Sequence, residues 1–197
     1  MKPWSSRPAL PRPLRDWLRG EGSLTARLRA GAERLEVRRS FEGTSWPTAD
    51  ELVALGLRRR FRAHVREVQL WRDDQLLVAA RSVLCARHAR GVWRAVRGLG
   101  ERPLAELLFG RRPVPRAPLE FARLHRGMPC LRRLRRAWPE RLRGDVRRAW
   151  ARRSVFRRRG APLLLTECFL PALGRLDPDA GAPPTRPPVR RRPARRD

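Results

Sequence analysis

Arg66, Arg81 and Glu167 each interrupt a strand-like run of aliphatic residues, and charges in such places need an explanation. Alternate side chains of a strand share a face, so Arg66 groups with His64, Val68 and Leu70. By the same count Arg81 groups with Leu77, Ala79 and Val83, and Glu167 with Leu163, Leu165 and Phe169. An unpaired charge in a core costs several kcal/mol, so these residues either pair with one another or await an oppositely charged ligand. Two arginines against one glutamate leave a positive surplus, which suits a small dicarboxylate. Guanidinium forks meet carboxylates through two parallel hydrogen bonds, and the glutamate can address a hydroxyl. Spacing alone leaves an internal Arg–Glu pair equally open.

The elements that would position these residues are readable in outline. Phe61 to Trp71 and Gln75 to Leu84 form two strand-like runs joined by Asp73 and Asp74, in the manner of a hairpin. Arg153 to Arg158 and Pro162 to Leu170 bracket Arg159 and Gly160 in the same way, and the last run is the most apolar in the chain, which predicts a central strand. Glu33 to Phe41 alternates like a strand with one solvated face. Pro11 to Trp17 opens an amphipathic stretch, broken at Gly20 and Gly22 before Ser23, a good N-cap for a second short helix. Ala86 to Leu99 and Pro103 to Phe109 form a second helical pair, the latter opened by a proline at the first-turn position. Between Gly110 and Trp150 the chain is rich in arginine. Leu119 to Leu124 reads as a strand or a helical turn, and Glu140 to Trp150 as a helix.

The net charge of +28 rests almost wholly on arginine, since Lys2 is the only lysine. Such a surface attracts anions. The arginines are nevertheless spread over the whole chain, and no helix-turn-helix, RNP or finger signature accompanies them, so no specific nucleic-acid partner is expected. Cys85, Cys130 and Cys168 are odd in number and widely spaced, which argues against a disulfide framework and a CxxC metal site and for a reducing compartment. Cys85 and His88 make a lone C-x-x-H without a second pair, so no metal is expected. Residues 1–13 lack the apolar core of a signal peptide, and no stretch reaches membrane-spanning length. The expectation is a cytoplasmic monomer without stable membrane insertion. Residues 1–10, Trp4 included, read as a tail, 11–173 as one domain with a basic insertion at about 110–150, and 174–197 as a disordered Pro/Arg-rich tail. Trp17, Trp46, Trp71 and Trp93 read as packing residues.

Taken in order, Asp16-Trp17-Leu18, Gly22-Ser23-Leu24-Thr25, Val65-Arg66-Glu67-Val68, Ala80-Arg81-Ser82-Val83 and Leu99-Gly100 with Pro103-Leu104 and Leu108-Phe109 resemble the chorismate pyruvate-lyase family. Arg152-Arg153-Ser154 and the string from Pro162 through Leu164-Leu165-Thr166-Glu167-Cys168-Phe169-Leu170-Pro171 extend the resemblance to about residue 173. Each piece is weak alone, and their order makes them specific. The resemblance implies a single α+β domain, an antiparallel sheet with helical flaps covering a buried ligand pocket. It implies a cofactor-free lyase converting chorismate to 4-hydroxybenzoate and pyruvate, the opening step of ubiquinone biosynthesis.

By the same resemblance Arg66 binds the ring carboxylate with help from the backbone N–H groups of Leu24 and Leu104, Glu167 meets the ring hydroxyl, and Arg81 faces the enolpyruvyl carboxylate. The reaction aromatises the ring and needs no metal or redox group, so positioning and fixed positive charge would carry it. Two other readings stand beside this one. The effector-binding domains of some bacterial repressors share the architecture and bind small molecules without catalysis. A basic protein held to nucleic acid by phosphate contacts is the other, and salt-insensitive binding would remove it.

Overall fold

The computed structural model describes residues 4–59, 61–125, 127–128 and 149–178. Its centre is an antiparallel sheet of six strands in the order β1-β2-β3-β6-β5-β4. They are β1 (Leu35–Ser45), β2 (Ala63–Arg72), β3 (Gln75–Cys85), β4 (Glu120–Arg123), β5 (Trp150–Arg158) and β6 (Ala161–Phe169). The Asp73-Asp74 turn closes β2 onto β3 with φ of 48° and 62°, the left-handed pair that matches strand twist in two-residue hairpins. Arg159 and Gly160 do the same between β5 and β6, at 48° and 76°. The apolar β6 pairs with β3 on one side and β5 on the other, so it is central as its composition predicts.

Helices lie on both faces. On the first, α1 (Arg12–Arg19) and α2 (Leu24–Arg29) bury Leu14, Trp17, Leu18 and Leu28 against Leu70, Val78 and Phe169. At the other end of that face, α4 (Ala86–Arg90), a 3₁₀ turn over Arg94–Gly98 and α5 (Leu104–Leu108) pack Trp93, Val96 and Leu108 onto Leu84, Phe156 and Leu163. These are the expected helical pairs; the second is shorter than the sequence suggests, because Gly91 ends α4 after Arg90.

The helix α3 (Ala49–Leu55) covers the opposite face and was not anticipated. Its signal was present in Thr48-Ala-Asp-Glu51, a capping box in which Thr48 N–H donates to the Glu51 carboxylate at 2.7 Å and Thr48 Oγ1 accepts from Glu51 N–H at 3.4 Å. Thr48→Ala is expected to cost about 1 kcal/mol of stability, read as a lower urea midpoint.

Trp4 is not a tail residue. It is buried, with the Arg153 guanidinium 4.2 Å from its ring centroid. Beside it Ser5 pairs with Phe121 on the edge strand β4, its N–H donating at 2.9 Å and its carbonyl accepting at 2.8 Å. Much of the expected insertion is likewise built in, since Val114, Phe121, Ala122 and Leu124 are buried. Trp150, expected to end a helix, opens β5, and Ala149 before it is buried outside any helix; residues 140–148 of that proposed helix, Cys130 and nearly all of the proposed C-terminal tail fall outside the described residues. Trp17, Trp71 and Trp93 are buried as expected, whereas Trp46 is exposed. Among the described residues no helix is long and apolar enough to cross a membrane.

Candidate active site

Between the two helical pairs, and floored by the first face of the sheet, lies a cavity with about 570 Å³ of empty space, counting its mouth. The floor is apolar, from Val68, Leu70, Ala80 and Leu165, and Phe109 and Phe156 close one side. Among the described residues its ionisable lining consists of Arg66, Arg116, Arg152 and Glu167.

Arg66 rises from the middle of β2 and is 2% exposed. One Nη donates to the carbonyls of Gly100 and Arg102, both at 2.9 Å, while Nε is buried without a partner. It enters no ion pair among the described residues. Burial pulls its pKa down, against the opposing pull of the Glu42 charge, but a guanidinium stays ionised at any accessible pH. A buried cation held by neutral carbonyls, with a donor to spare, is prepared for a carboxylate.

Glu167 reaches the same cavity from β6, opposite Arg152 on β5. Arg152 Nε donates to Glu167 Oε2 at 2.6 Å. The Nη1 of Arg152 donates to the carbonyls of Trp17, Leu18 and Gly20 at 2.9–3.2 Å, collecting acceptors that the end of α1 leaves unsatisfied. Arg152 therefore anchors the first helical pair to the carboxylate. Glu167 retains its other oxygen for the cavity.

The structure does not bring Arg81 here. Continued regularly from the two-residue turn, the hairpin would set Arg81 opposite Arg66, yet a bulge between Leu70 and Trp71 shifts the register by one residue. Arg81 then stands opposite Glu67, and Arg66 opposite Ser82. A one-residue slip moves a side chain to the other face of a sheet. On that face Arg81 is 1% exposed and donates to Glu51 at 2.6 Å and to Glu67 at 2.5 Å. Burial lowers its pKa, and these two carboxylates more than compensate, leaving it raised.

Leu24 and Leu104 both line the cavity, one from each helical pair. Each is the first residue of its helix, where a backbone N–H has no intrahelical acceptor. Both therefore present the kind of donor that the resemblance implies.

His64 shares the face of Arg66 but lies outside the lining, 3.3 Å from a Glu42 carboxylate oxygen. Burial holds its pKa below the ordinary value, only partly offset by Glu42. The native state thus favours the neutral ring, while the unfolded chain takes up a proton near pH 6.5. The resulting stability is present above about pH 6.5 and is lost as the pH falls through the lowered native value. His64→Gln should flatten this part of the acid limb, measured as urea midpoints between pH 7.5 and 5.5.

Two lining arginines escaped the sequence reading. Arg152 had a usable signal, because counting back from the Arg159-Gly160 turn pairs it with Glu167. Arg116 had none, being one arginine among many in an irregular segment. It is positioned by an isolated bridge to Phe156, with its guanidinium carbon 5.4 Å from the Phe156 ring centroid and 5.9 Å from that of Phe109.

Comparison with known proteins gives this geometry a context. The chorismate lyase family profile matches residues 6–175. A protein named probable chorismate pyruvate-lyase from Cupriavidus pinatubonensis is 47% identical over 166 residues, covering 84% of each chain. One of the same name from Albidiferax ferrireducens is 42% identical over 171 residues, covering 86% of this chain and 87% of that one. Among solved structures, PhnF from Mycobacterium smegmatis aligns with a TM-score of 0.51 at 13% identity, over 78% of this chain and 66% of that one, a likeness of fold alone. With the profile spanning residues 6–175, and with relatives this similar over most of their length, the chain belongs to the chorismate lyase family.

Proposed function

We propose that this chain is a chorismate pyruvate-lyase, releasing 4-hydroxybenzoate and pyruvate. The observation that carries the reading is Arg66, a buried guanidinium with an unpartnered Nε, in an apolar cavity that also holds Glu167. Arg66 binds the ring carboxylate, the N–H groups of Leu24 and Leu104 support it, and Glu167 accepts from the ring hydroxyl. In the reaction the ether C–O bond breaks and its electron pair leaves with the enolpyruvate oxygen. The proton on the hydroxyl-bearing ring carbon departs, the ring becomes aromatic, and enolpyruvate takes a proton at its methylene carbon to give pyruvate. The enzyme's contribution is to hold the dianion with that C–H and C–O bond poised, in a site where fixed charges act at low dielectric. Chain-derived groups suffice for this, and no cofactor enters the reading.

A single copy is the working unit of this reading. The odd number and wide spacing of Cys85, Cys130 and Cys168 support a reducing, cytoplasmic setting. Incubation of the purified protein with chorismate should produce the ultraviolet absorbance of 4-hydroxybenzoate. Chorismate that binds and is recovered unchanged would instead identify a non-catalytic binding domain of this fold.

A further inference from the structure

With Arg81 on the far face of the sheet, the second carboxylate of the substrate has no assigned partner. We propose that Arg116 binds it, so that Arg66 holds the ring carboxylate and Arg116 the carboxylate of the enolpyruvyl arm. The inference rests on the lyase reading and adds a residue to it.

The charge balance of the cavity points this way. Among the described residues three guanidinium groups line it against a single carboxylate, leaving two positive charges, and chorismate carries two carboxylates. Arg152 is already engaged, its Nε on Glu167 and its Nη1 on three carbonyls. Arg66 and Arg116 remain. Each has a buried Nε without a partner, and neither enters an ion pair among the described residues.

The setting of Arg116 favours a planar anion. The guanidinium carbon lies 5.4 Å from the Phe156 ring centroid and 5.9 Å from that of Phe109, contacts that limit its rotation, while its buried Nε has no partner. Burial first, and then the nearby Arg152 charge, lower its pKa, against the opposing pull of the Glu167 and Glu21 charges. Position in the fold separates the two arginines. Arg66 stands on β2 and Arg116 is bridged to β5, with β3 and β6 between them as the floor. The dianion is thus held from two walls, with the scissile ether bond between them. As the bond breaks, negative charge grows on the enolpyruvate fragment, and Arg116 sits where that fragment leaves.

The two products separate this role from a general one. 4-Hydroxybenzoate retains the ring carboxylate but has lost the arm. Arg116→Gln should therefore lower kcat/KM for chorismate on the order of 100-fold while leaving 4-hydroxybenzoate affinity unchanged by calorimetry. Arg116→Lys should recover part of the loss, since it restores charge without the fork. It also serves as the test variant if the glutamine form fails to give a cooperative melting curve. A parallel fall in 4-hydroxybenzoate affinity, or turnover equal to that of the unaltered chain, would overturn the assignment. If the unaltered chain itself converts no chorismate, the lyase reading falls and this proposal with it; if it converts chorismate and Arg116 variants match it, only the proposal falls.

Discussion

Arg66→Ala should reduce kcat/KM for chorismate on the order of 10²-fold or more and abolish measurable 4-hydroxybenzoate binding. The substitution removes a buried cation whose Nη is already fixed by two carbonyls, so binding costs little rotamer entropy. It also frees Gly100 and Arg102 from their shared donor, loosening the approach to α5, at whose start Leu104 stands. Both carboxylate binding and the supporting backbone donor are affected, which is why the loss should exceed that of a simple point charge. Arg58→Ala, an exposed change of the same chemistry, provides the control and should leave activity unaltered. Equal, mild losses in both variants would count against the clamp.

The second large effect is on stability. Arg81→Met should cost about 3–5 kcal/mol of folding free energy, because it leaves two buried carboxylates, Glu51 and Glu67, without their shared cation. Replacing all three together, as Arg81→Met with Glu51→Gln and Glu67→Gln, should recover most of that loss, since the penalty comes from stranded charge. Urea unfolding measures both variants. For the fraction that remains folded, chorismate turnover should be close to that of the unaltered chain. Lost turnover without lost stability would return Arg81 to a role in the chemistry and contradict its place on the far face.

These two arginines show how far the sequence could be read. Alternation placed both on their strands correctly and identified each as a charge among aliphatics. Which face each occupies depended on one extra residue near Leu70, and a bulge of that kind leaves no mark in a run of aliphatics. The β5–β6 hairpin had no such irregularity, so its turn alone gives the Arg152–Glu167 pair. The helix carrying Glu51, the partner that explains Arg81, was signalled by its capping box but is only two turns long. Leu24 and Leu104 were legible only through family resemblance, because a backbone donor has no side-chain signature. Arg116 was illegible for a different reason. In a chain with so many arginines, identity carries little information, and only the fold selects the one that faces the cavity.

The small bridge between Ser5 and Phe121 has a consequence for how copies of this protein meet. An uncovered border strand offers a row of free amide and carbonyl groups to any extended segment, the first step of strand-by-strand self-assembly. At β4 the amide and carbonyl of Phe121 are taken by Ser5 of the chain's own N-terminal segment. At the opposite border β1 guards itself differently, with the ionic side chains of Arg38, Arg39 and Glu42 along a long, solvated strand. Solubility at one border is thus a property of covalent continuity through Ser5, and at the other a property of charge, so only the second should respond to ionic strength.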